Sequence, residues 1–211
     1  MKLNKVLALA LSGVMAVSML AGCSGNGSNN GGSSSGEEQT PATIQVAADL
    51  NDAVSEDTQK KVTFTDDGTL QQNLATAITL NGIVTLPEDI AVQQTLQDIT
   101  GVKDEFSKMV NNKTNKSFKA VQVAQATKNL NLKAALNSFA SEVNGWMTRL
   151  PDASLKKNQI EKLDEGAVYV EYNYTATVAA VNAPSADGNE SAYYFAVIIT
   201  QNPTVVTKTA D

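Results

Sequence analysis

The residue types that most often carry protein chemistry are scarce in this 211-residue chain. It has no histidine and a single cysteine, Cys23. Without histidine there is no Ser-His-Asp triad and no His/Cys zinc site. Nor is there a side chain whose ordinary pKa lies near neutrality. Carboxylates occur as neighbours at Glu88-Asp89, Asp104-Glu105 and Asp164-Glu165. Two acids about 5–5.5 or 6.5–9.5 Å apart can hydrolyse a glycosidic bond, but adjacency in sequence does not set that distance. Acids at a helix start also stabilise the helix dipole, the role expected of the first two pairs. The stretches Asp66-Asp67-Gly68 and Asp187-Gly188-Asn189-Glu190 lack the ligand spacing of a calcium loop and read as turns. No catalytic residue, metal site or cofactor is assigned from these patterns.

The cysteine stands in a different context. Lys2 and Lys5 precede an apolar stretch from Val6 to Ala21, broken by Ser12, Gly13 and Ser18. A positive start, a short apolar segment and small residues form the layout of a secretory signal. Sixteen residues with polar breaks fall short of the roughly 20 a spanning helix needs. The segment ends Leu20-Ala21-Gly22-Cys23, which resembles the lipobox of bacterial prolipoproteins at every position. The resemblance implies cleavage between Gly22 and Cys23, a diacylglyceryl group on the Cys23 sulfur, and a home on the extracytoplasmic face of the cell membrane. Two acyl chains hold a membrane far better than one, at about 0.8 kcal/mol per buried CH₂.

From Ser24 to Gln39 the chain is almost wholly Gly, Ser and Asn, closing on Glu37-Glu38. Such a run cannot bury enough apolar surface to fold. As a flexible coil of sixteen residues its root-mean-square reach is about 20–24 Å. A tether of this kind is similar to those of many Gram-positive lipoproteins; in a Gram-negative host, Ser24 would resemble an outer-membrane address. The organisation expected is a signal peptide over 1–22, a lipidated cysteine and tether over 23–39, and one extracytoplasmic domain over 40–211. With no second cysteine, no intramolecular disulfide forms.

Losing Lys2 and Lys5 with the signal takes the formal net charge from −6 to −8. Nucleic-acid binders carry basic patches, so nucleic acid is not an expected partner. Anionic lipid heads also repel such a domain, leaving attachment to the acyl chains. Ser154-Leu155-Lys156-Lys157 matches S-x-x-K, the nucleophile motif of penicillin-binding enzymes, and Lys208-Thr209-Ala210 resembles their K-T-G. Ala210 replaces the glycine, however, and no S-D-N lies between. An enzyme of that kind is therefore not expected.

All five tyrosines lie near the C-terminus, at Tyr169, Tyr172, Tyr174, Tyr193 and Tyr194. Tyrosine favours strands for packing reasons and also anchors interfaces. The five are the candidate interaction surface, for an envelope protein or a glycan.

The elements that must position them follow from periodicity. A first helix is expected within Thr43–Asp57 and a short strand over Lys61–Thr65. A helix capped by Thr69 comes next, then one capped at Thr85 with Pro87 in its first turn, ended by Gly101. A further helix carries Val102, Phe106, Met109 and Val110. Phe118–Ala126 is ambiguous between strand and helix. Leu132, Leu136, Phe139, Val143, Trp146, Met147 and Leu150 mark a long amphipathic helix, which Pro151 stops. A short helix is expected over Asp152–Leu163. From Val168 the period becomes 2, with Val168, Val170, Tyr172, Tyr174 and Val178 on one face and Tyr169, Glu171, Asn173, Thr175 and Thr177 on the other. A polar loop from Asn182 to Ser191 leads to a second strand over Tyr193–Thr200. The class expected is α+β, with the C-terminal antiparallel hairpin packed on the long helix and joined by the strand near 61–65. The function expected is non-catalytic binding or scaffolding. The alternatives are a small-ligand receptor for a transporter or sensor and a carboxylate-based envelope hydrolase.

Overall fold

The computed structural model describes residues 42–82 and 85–210. Gly22, Cys23 and the tether lie outside the described residues. Twelve elements follow in chain order. They are β1 (Ala42–Ile44), α1 (Ala47–Ala53), α2 (Glu56–Lys61), β2 (Phe64–Asp66), α3 (Gly68–Asn81), α4 (Asp89–Thr100), α5 (Phe106–Val110), β3 (Phe118–Gln125), α6 (Leu132–Arg149), α7 (Lys157–Ile160), β4 (Val168–Pro184) and β5 (Ser191–Thr207).

The fold is α+β. β4 and β5 form one long antiparallel hairpin, from Val168↔Thr207 to Pro184↔Ser191. Each strand has 17 residues, about 56 Å at 3.3 Å per residue. β3 pairs antiparallel with β5 from Phe118↔Gln201 to Gln125↔Tyr194. Along the other edge of β4, β1 pairs antiparallel at 180–182 and β2 parallel at 176–178. The strand expected near 61–65 thus joins the sheet in parallel, starting three residues later at Phe64 and ending at Asp66. Asp66 closes it: its Oδ1 accepts the N–H groups of Val46 (2.9 Å) and Ala47 (3.1 Å) and so starts α1.

Along its central part the sheet is buried on both faces, in two apolar layers. On the first, α6 and α1 pack over Tyr172, Tyr174, Ala176, Val178, Phe195 and Val197. Phe139 of α6 stacks on Phe195 with centroids 4.5 Å apart, and Trp146 meets Phe139 edge-on at 6.0 Å. On the second, α3 and α4 bring Leu70, Leu74, Val92 and Leu96 onto Val121, Ala179, Val181 and Tyr194. The hairpin therefore packs on the long helix as expected, and a second helical layer lies behind it.

Several local expectations are corrected. The first helix is divided: Ala42–Ile44 is an edge strand, and Ser55 caps the separate α2 by accepting the Thr58 N–H at 3.4 Å. Asp67, not Thr69, caps α3, because its Oδ1 takes the N–H groups of Thr69 and Leu70, both at 2.9 Å. α4 starts at Asp89 without a side-chain cap, because the segment before it is held otherwise: the Pro87 carbonyl accepts the Tyr194 hydroxyl at 2.7 Å. Gly101 does end α4, in the left-handed conformation at φ 68°. The expected loop from Asn182 to Ser191 shrinks to a turn between the strands, with the Ser185 N–H bonded to the Glu190 carbonyl at 2.8 Å. The helix expected over Asp152–Leu163 is reduced to Lys157–Ile160, since Ala153 bridges Glu171 on the edge of β4.

α6 carries a glycine on its solvent side. A Cβ built at Gly145 meets nothing within 4 Å, and glycine in a helix interior is about 0.5–1 kcal/mol worse than alanine. Gly145→Ala is expected to stabilise the domain by about that amount in chemical denaturation. A loss of stability would show that this helix face meets another surface.

Candidate functional site

The five tyrosines do not form one surface. Tyr172, Tyr174 and Tyr194 are 4%, 6% and 0% exposed, and Tyr194 points to the opposite face from the other two. The correction has a plain cause: period 2 separates the two faces of a strand but does not say that both are covered. Tyr172 donates to the Thr114 carbonyl at 3.2 Å. Tyr174 donates to the Pro151 carbonyl and accepts from Gln201 Nε2 at 2.9 Å. Tyr194 also accepts from Gln125 Nε2 at 2.7 Å. Burial holds all three phenols above their ordinary pKa, so at neutral pH they stay protonated and act as structural donors. Tyr169 and Tyr193 remain partly exposed. Tyr169 donates to Glu171 at 3.1 Å, and Tyr193 lies beside Phe195 with centroids 6.4 Å apart.

One of the carboxylate pairs is engaged in holding local structure. Asp104 accepts from the Phe106 N–H at 3.0 Å and from Gln122 Nε2 at 2.9 Å. Glu105 pairs with Lys108 at 2.8 Å, and that hydrogen bond lowers its pKa. Glu88 and Asp89 stand at the start of α4, where the dipole favours acids. Asp164 and Glu165 are exposed beyond α7. The Ser154 hydroxyl accepts the Val170 N–H at 2.9 Å, holding its loop to the sheet edge. Among the described residues, no group of three His, Cys, Asp or Glu side chains could hold a metal ion.

Among the described residues, two open depressions stand out. One, of about 450 Å³, lies beside Asp57, Lys60, Met147 and Thr148. At its wall Lys61 Nζ donates to Leu150 O (2.7 Å) and Met147 O (3.1 Å) and pairs with Asp152 at 2.9 Å. This lysine caps the C-terminus of α6, a structural role.

The other depression, of about 390 Å³, lies on the second face of the sheet where α3 and α4 stop covering it. Further along β4, toward its C-terminal end, this face is apolar, with Ala179, Val181 and Ala183 buried. At Thr177 it turns to hydroxyls. Thr175 pairs directly with Thr200, and Thr65 with Thr177. Thr63, just ahead of β2, extends the same patch, and Ile198 lies within it. Val102 after α4 and Asp67 at the start of α3 stand at its rim, with Lys119 of β3 opposite. Threonine suits an exposed sheet face in any case; what distinguishes this stretch is the concavity those rim residues give it. Sequence reasoning placed Thr175 and Thr177 on the polar face of β4 and took them no further. The usable signal was the change from apolar to hydroxyl residues midway along one face.

The chain matches no protein-family model, and no significantly similar curated protein or solved structure was found. Among the described residues, no helix is long and apolar enough to cross a membrane.

Proposed function

We propose that this protein is a lipid-anchored, non-catalytic binding module of the bacterial cell envelope, held at the extracytoplasmic membrane face by a diacylglyceryl group on Cys23. The observation that carries the reading is Leu20-Ala21-Gly22-Cys23 directly after an apolar signal and directly before a Gly/Ser/Asn tether. Ala42, the first described residue, pairs with Asn182 near the turn end of the hairpin. Of the three carboxylate pairs, Asp104 and Glu105 are committed to backbone, glutamine and lysine partners, which counts against that pair as hydrolytic acids.

Fractionation of the native host tests the anchoring. Cys23→Ala is expected to move the protein from the membrane fraction to soluble or unprocessed precursor forms. Unchanged fractionation would refute the anchor.

A further inference from the structure

The geometry points to the threonine-paved depression as a binding site for a neutral, hydroxyl-rich glycan strand. The inference rests on the reading of the protein as an envelope binding module and adds the ligand class and the place where it binds.

Each threonine hydroxyl both donates and accepts. Among the described residues, Thr65 donates only weakly to the protein, to Ala176 O at 3.4 Å. Covering these hydroxyls with an apolar partner would strip their water and return nothing, which is unfavourable. An occupant must therefore bring its own donors and acceptors. It cannot bind by adding a strand, because β4 already has β2 on one side and β5 on the other at Thr177. What remains is contact with side chains on the face of the sheet.

Charge narrows the class further. One cation borders the hydroxyls directly, because Lys119 of β3 pairs with Thr200, while Asp67 lies on the β2 side. Asp67 Oδ1 is already committed to the start of α3. A polyanion would meet one lysine on a mature chain whose formal net charge is −8 once Lys2 and Lys5 are gone. A neutral polyol meets no such repulsion. The methyl groups of the threonines, with Ile198 and Val102, offer apolar contact to its C–H faces. Among the described residues no aromatic side chain lines the depression, so recognition rests on the hydroxyls, and single-site affinity should be modest. The position also fits a tethered receptor. Thr175 and Thr177 lie five to seven residues along β4 from Asn182, where Ala42 pairs, or about 17–24 Å at 3.3–3.4 Å per residue.

The test uses the full mature chain, purified from its host in a detergent without a sugar head group. Chitohexaose and maltohexaose serve as acetylated and unacetylated neutral strands in calorimetric titrations. Saturable binding of at least one is expected. The triple variant T175V/T177V/T200V keeps side-chain shape and strand preference but removes three hydroxyls. It should weaken binding at least about tenfold while its unfolding midpoint is kept or raised. No binding of either strand at millimolar concentration would overturn the inference, as would binding unchanged by the triple variant. Neither result bears on Cys23, so the glycan site and the membrane anchor fail or stand separately.

Discussion

Replacing Gln201 by leucine is expected to destabilise the domain by about 3 kcal/mol, although leucine is similar in bulk. Gln201 is fully buried and lies between Phe118 of β3 and Tyr174 of β4. Its Oε1 accepts from Asn112 Nδ2 at 2.7 Å, and its Nε2 donates to Met109 O (3.2 Å) and to the Tyr174 hydroxyl (2.9 Å). Asn112 in turn holds the loop before β3, accepting from Thr114 N (2.9 Å) and donating to Lys116 O (3.0 Å). Among the described residues, no buried side-chain polar atom is left without a partner. Leucine would leave Asn112 and the Met109 carbonyl buried with a bond missing, and each such loss costs about 1–3 kcal/mol. Tyr174→Phe removes less, about 1–2 kcal/mol, because Gln201 keeps Met109 and Asn112. Urea denaturation checks both; a Gln201→Leu loss below about 1 kcal/mol would show that the network adds little.

The second large effect is expected at Lys61. Its side chain is 16% exposed and reaches two carbonyls at the C-terminus of α6 as well as Asp152. A cation there also complements the helix dipole. Lys61→Met keeps most of the apolar stem and removes the charge. The expected cost is about 2 kcal/mol, mainly from the carbonyl bonds, since Asp152 is 80% exposed and its pairing is screened. Asp152→Ala is therefore expected to cost under about 1 kcal/mol. Comparable losses for the two variants in denaturation would show that the ion pair, rather than the cap, holds this corner.

α6 was the most legible element because it buries one stripe. Leu136, Phe139, Val143, Met147 and Leu150 are all buried, and Trp146 is half-buried beside Phe139. The same logic failed where burial is two-sided. β3 carries buried Ala120 and Ala124 on one face and Val121 and Val123 on the other, so no alternation marks it as a strand. Val178–Val181 in β4 is buried throughout, which hid how far the hairpin extends. β1 has three residues, too few for any period.

The candidate site was half legible. Alternation put Thr175 and Thr177 opposite Tyr172 and Tyr174, as found. Which side would be covered depended on where α3 and α4 lie, and nothing in β4 itself encodes that. The tyrosines were misjudged as a surface for the same reason. Asp67 was passed over as a cap because Thr69 two residues later satisfies the same local pattern; the choice was made by β2 ending at Asp66, which leaves Asp67 as the last extended residue.

The central claim is covalent, and intact-mass and N-terminal analysis of the protein isolated from its own host tests it most directly. The account predicts a mature chain that begins at Cys23 and carries a diacylglyceryl adduct on its sulfur. A mature N-terminus at any other residue, or a free thiol at Cys23, would contradict it.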